Sequence, residues 1–67
     1  MIEILEQYGF TYHHGCRCGG SLKKYYRKCV YEVQIAPEQH FWKLSQSGAR
    51  LCSGKAETLE ENIKNLI

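Results

Sequence analysis

Sixty-seven residues, 43% of them hydrophobic and 24% charged, with a net charge of +2, make one small domain over 1–67. A chain of this length buries only about 60% of its unfolded surface, so a metal, a disulfide or a partner chain is a common aid to folding. One proline and no low-complexity tract argue against disorder. No apolar run approaches the roughly 20 residues that span a bilayer.

Residues 1–10 contain Glu3 and Glu6 and lack the basic start and apolar centre of a secretory signal, so the cytoplasm is the default location. Cysteines there stay reduced, and the four present then read as metal ligands or small buried residues.

The distribution of charge says more than its total. No acid lies between Glu6 and Glu32, whereas Arg17, Lys23, Lys24, Arg27 and Lys28 all do. Glu57, Glu60 and Glu61 give the C-terminal end the opposite bias.

In chain order, Ile2, Leu5 and Tyr8 repeat at helical spacing and Gly9 follows where a left-handed residue ends a helix. Phe10 then folds back onto Leu5. From Phe10 to His14 the alternation is that of a strand, with Phe10, Tyr12 and His14 on one face. Gly15 and Gly19-Gly20 bracket Cys16 and Cys18, which predicts a loop over 15–20.

Leu22 to Lys28 reads as a basic strand containing Tyr25 and Tyr26, with Arg27-Lys28 either a tight turn or mid-ribbon. The clearest strand follows. Cys29, Tyr31, Val33 and Ile35 face one side, and Val30, Glu32 and Gln34 the other, until Pro37 ends it.

Phe41 to Gln46 is another strand, with Trp42 and Leu44 opposed to Phe41 and Lys43. Ser47-Gly48 is a turn, and Ala49 to Ser53 returns. A plain two-residue hairpin sets Leu44 opposite Leu51 and Lys43 opposite Cys52; a bulge at Gly48 shifts this by one. Ala56, Leu59, Ile63, Leu66 and Ile67 then form a helical stripe. Glu57, Glu60 and Glu61 crowd its positive end, and Thr58 and Glu61 have capping-box spacing. The predicted architecture is α+β: an antiparallel sheet of four to five strands with a short N-terminal helix and a C-terminal amphipathic helix on one face.

Three kinds of chemistry fit this pattern. Thiolates and imidazoles are preferred donors for tetrahedral zinc, and Cys16 and Cys18 offer a knuckle that His13, His14, Cys29 and Cys52 could complete. The single residue between the paired cysteines departs from the familiar spacing of two. Zinc would then staple the domain. Catalysis would draw on His13, His14 or His40 as bases and Cys16 or Cys18 as nucleophile, but the sequence pairs none of them with an orienting acid. The third reading is a non-enzymatic binding module. It meets nucleic acid or an acidic protein through Arg17, Lys23, Lys24, Tyr25, Tyr26, Arg27 and Lys28 on a β-ribbon, with Phe41 and Trp42 extending the aromatic platform. A second copy of the chain is a further candidate partner, covering edge strands and Trp42.

A helix ending in Tyr8-Gly9-Phe10, followed by strands containing Gly19-Gly20-Ser21, is similar to small bacterial toxins that cleave messenger RNA on a double-stranded-RNA-binding-like fold. Those toxins place a histidine directly after the Gly-Ser pair, where this chain has Leu22. The resemblance therefore implies an RNA-facing ribbon without the catalytic side chain.

Overall fold

A computed structural model describes residues 1–66, apart from the side chain of Cys18. Cys18 as a metal ligand and Ile67 as part of the helical stripe therefore lie outside what is described. The chain folds as helix α1 (Ile2–Gln7), strands β1 (Thr11–Cys18), β2 (Ser21–Lys28), β3 (Tyr31–Ala36), β4 (Phe41–Gln46) and β5 (Ala49–Lys55), and helix α2 (Leu59–Leu66). Short 3-10 turns at Pro37–Gln39 and Ala56–Thr58 precede β4 and α2. The five strands form one antiparallel meander in the order β1-β2-β3-β4-β5, as expected for the small α+β class. No helix is long and apolar enough to cross a membrane.

Three of the four strand connections are two-residue turns, and each takes its shape from residues of positive φ. Gly19 and Gly20 have φ of 62° and 83°, and Ser47 and Gly48 have 50° and 88°. Two consecutive left-handed residues are the type I′ pattern, whose twist suits a hairpin. At the third turn Cys29 alone is left-handed, with φ 54°. This corrects two expectations and decides one that was open between a turn and mid-ribbon. The loop over 15–20 is only Gly19-Gly20, because β1 runs on to Cys18. Arg27-Lys28 is strand. Cys29 is not a core residue of β3 but an exposed corner.

Two bulges decide which side chains face the helices. Tyr12 pairs with Tyr26, but His14 pairs with Tyr25, so the extra residue at His13 sends Tyr12 and His14 to opposite faces. They do not share a face, as simple alternation implied. On the other side of the sheet Leu44 pairs with Cys52 and Ser45 with Arg50, which places a bulge at Leu51 rather than at Gly48. Lys43 accordingly lies opposite Ser53, not Cys52.

The core lies between the sheet and the two helices. Leu5 and Phe10 enter from the N-terminal side, Leu59 and Ile63 from α2, and Tyr26, Val33, Ile35, Trp42 and Leu44 from the sheet. Helix α1 ends as its glycine predicts. Gly9 has φ 90°, its amide donates to the Glu6 carbonyl (3.1 Å), and the Phe10 amide donates to the Leu5 carbonyl (2.9 Å). These are the two bonds of a Schellman motif, and the hydrophobic pair that accompanies it is buried Phe10 with buried Leu5.

Trp42 is fully buried. A buried indole N–H needs an acceptor, and Trp42 Nε1 donates to the Lys55 carbonyl (2.8 Å) and the Thr58 hydroxyl (3.3 Å). Thr58 Oγ1 in turn donates to the same carbonyl (2.8 Å), so it serves the Trp42 site instead of a capping box with Glu61. A tryptophan enclosed in its own chain is not a surface for a second copy.

Candidate nucleic-acid interface

The face of the sheet turned away from the helices carries strand side chains that are exposed or half-buried, apart from buried Ala36. Cross-strand partners project from the same face of a sheet, so the pairings trace rows across it. The central row runs His14, Tyr25, Gln34, Lys43, Ser53 through all five strands. On one side of it lies the row Thr11, Arg27, Glu32, Ser45, Arg50. On the other, Lys23 pairs with Cys16, and Ala36, Phe41 and Lys55 follow across β3, β4 and β5.

Charge is divided between the layers. Of the nine lysines and arginines only Lys64 is on a helix; the other eight are on strands. Glu3, Glu6, Glu60 and Glu61 lie on the helices and Glu57 on the turn that opens α2. The open face carries Lys23, Arg27, Lys43, Arg50 and Lys55 against one carboxylate, Glu32, which Arg27 Nε holds at 2.7 Å. An exposed pair of this kind contributes about 0–1 kcal/mol to stability, but it does neutralise one cation of the face.

The basic ribbon of residues 17–28 therefore divides in two. Lys23, Tyr25 and Arg27 project from the open face. Lys24, Tyr26 and Lys28 alternate toward the helices. Tyr26 is a core residue, 4% exposed, rather than a stacking platform. Burial raises its phenol pKa above the usual 10, with Glu6 and then Tyr12 adding to the effect. Lys28 Nζ donates to the Tyr8 carbonyl at 2.7 Å. Arg17 sits 4.0 Å from Glu38 in the turn before β4. Of the aromatic residues in the ribbon and beside it, Tyr25 and Phe41 are on the open face and Tyr26 and Trp42 are not.

His14 joins Tyr25 there. Their rings stack with centroids 4.2 Å apart and planes 10° from parallel. His13 Nδ1 lies 2.6 Å from His14 Nδ1, a bond in which one imidazole supplies the N–H and the other the lone pair. His14 is thus a member of the face that sequence alternation assigned elsewhere; the signal for it was a bulge that no local motif announces. Lys43, Arg50 and Lys55 were also missed, because they lie far along the chain from the basic run and only the strand order brings them onto the same face as Lys23.

Among the described residues the proposed metal ligands do not converge. Cys16 is disulfide-bonded. Cys29 carries a free thiol at the far end of β2 from Cys16, and Cys52 a free thiol on β5, at the opposite edge of the sheet from β1. Cys52 Sγ donates to Asn62 Oδ1 (3.8 Å) on α2. Among the described residues no three His, Cys, Asp or Glu side chains are grouped so as to hold a metal.

The open face includes a concavity beside Lys23. A shallow pocket of about 300 Å³ is lined by Lys23, Gln34, Ala36, Gln39, Phe41, Lys43 and Lys55. Neither a protein-family model nor a curated protein nor a solved structure matches this chain.

Proposed function

We propose that this domain is a non-enzymatic binding module for single-stranded nucleic acid, and that its ligand lies across the open face of the sheet. The observation that carries this reading is the central row His14, Tyr25, Gln34, Lys43, Ser53, flanked by Lys23 and Lys55 on one side and Arg27 and Arg50 on the other. Unpaired bases stack on aromatic faces, and each such contact is worth about 1–3 kcal/mol by alanine substitution. Lysines and arginines beside them neutralise phosphates and make affinity fall with salt. Gln34 and Ser53 add hydrogen-bonding groups without charge. An acidic protein would use the same cations but has less need of the stacked His14–Tyr25 pair.

The test is a fluorescence-anisotropy titration of single-stranded oligonucleotides over a salt series. Affinity should fall steadily with salt. Tyr25→Ala should weaken it about fivefold or more, in line with the lower end of measured stacking contributions. Lys43→Glu should weaken it further. No binding at low salt to single-stranded DNA or RNA would overturn the reading.

A further inference from the structure

The pocket at one end of the open face differs from the rest of that face in three respects. First, its lining includes three lysines, Lys23, Lys43 and Lys55, together with Phe41 and Ala36. Among the described residues none of these lysines forms an ion pair, whereas Arg27 and Arg17 are matched to Glu32 and Glu38. Second, two amide side chains, Gln34 and Gln39, join the lining, so donors are present beyond the cations. Third, the pocket borders a braced turn through Gln39. The 3-10 turn Pro37–Gln39 is tied to the start of β2, with Gln39 Nε2 donating to Ser21 Oγ (2.9 Å) and the Leu22 amide donating to Glu38 Oε1 (3.0 Å).

A phosphodiester chain running along β3 and β4 past Ala36 and Phe41 would next meet the turn Pro37–Gln39, which these bonds hold in place. A chain that ends in the pocket avoids the encounter. A terminal phosphomonoester also carries close to two negative charges at neutral pH, against one for a diester, which suits a pocket lined by three lysines better than an internal phosphate does. Phe41 and Ala36 offer the terminal sugar or base an apolar neighbour.

We infer that the Lys23–Lys43–Lys55 pocket is a site for the terminal phosphate of a nucleic-acid strand, with Phe41 beneath the terminal nucleotide. This rests on the nucleic-acid reading of the open face and narrows it to strand ends.

The experiment compares one single-stranded oligonucleotide in three forms: 5′-phosphorylated, 3′-phosphorylated and unphosphorylated. One phosphorylated form should bind at least tenfold more tightly than the unphosphorylated one. In Lys55→Gln that ratio should fall to threefold or less, and in Lys43→Gln/Lys55→Gln to near one, with unchanged thermal unfolding; Lys55→Gln alone, at an exposed position, suffices if the double variant is unstable. Equal binding of all three forms overturns the end-recognition inference and leaves the open-face reading standing. Absence of binding by any form at low salt overturns both. Capture of a phosphoserine peptide with none of the oligonucleotides would transfer the pocket to a protein ligand and also overturn the inference.

Discussion

Lys28 Nζ donates to the carbonyl oxygen of Tyr8 at 2.7 Å, joining the end of β2 to the C-cap residue of the first helix. The cation sits at the negative pole of that helix and satisfies one of its orphan carbonyls. A sequence-adjacent cation, Arg27, points the other way and holds Glu32. Residues that read together as a basic run thus have separate structural duties.

Lys28→Met should lower unfolding stability by about 1–2 kcal/mol, the usual range for a half-buried hydrogen bond to a charged group. Urea denaturation measures this. Because Lys28 faces the helices, oligonucleotide affinity should change by less than about twofold.

Neighbouring lysines should respond differently. Lys23 lies on the open face, and Lys24 pairs with Ile35 on the helix side. Lys23→Glu should weaken binding severalfold or more through lost phosphate neutralisation, and Lys24→Glu only slightly, although the net charge changes equally. Similar losses for the two variants would argue that total charge, not the open face, governs binding.

Gly54 is required for lack of space. A Cβ there would lie 2.7 Å from Thr58 Oγ1 and 3.4 Å from the indole of Trp42, inside the hydrogen-bonded group that satisfies Trp42. Gly54→Ala should cost about 1–3 kcal/mol, as overpacking generally does. Adding Thr58→Ala should recover part of the loss, and a double-mutant cycle by thermal unfolding reads the coupling.

Alkaline pH should destabilise the fold through Tyr26. Its folded-state pKa is raised by burial first and by Glu6 and Tyr12 second. The neutral phenol is therefore favoured in the folded chain. The associated stability is fully present below the unfolded value of about 10 and is lost as pH rises from there through the folded value. Ultraviolet titration of tyrosinate should show one tyrosine ionising late and together with unfolding, and Tyr26→Phe should remove that late step.

Cys29 holds a left-handed φ of 54° at an exposed turn. A non-glycine residue there costs roughly 1 kcal/mol. Cys29→Gly should accordingly raise the denaturation midpoint, or at least not lower it, since the side chain is exposed and makes little packing contribution.

Local pattern was enough to read both helices, the five strands and the α+β class. Alternation of Val33 with Ile35 and of Trp42 with Leu44 marks buried faces, and Gly9 and Gly48 mark chain reversals by their conformational freedom. Side-chain facing in β1 was not legible, because a bulge adds one residue without a compositional sign and inverts every side chain after it. The fate of Cys29 was hidden for a similar reason: its parity matched Tyr31 and Val33, and turn geometry took precedence.

The open face was legible in the chain only in part: Lys23, Tyr25 and Arg27 belong to the basic run, whereas Lys43, Arg50 and Lys55 do not. Lys23, Lys43 and Lys55 are separated by more than a whole strand each, and their proximity follows from the meander placing β2, β3, β4 and β5 side by side. Periodicity specifies which residues alternate, since it reflects the pleat of a single strand. The company those residues keep depends on register between strands, which long-range hydrogen bonding and packing of the core against two helices establish together.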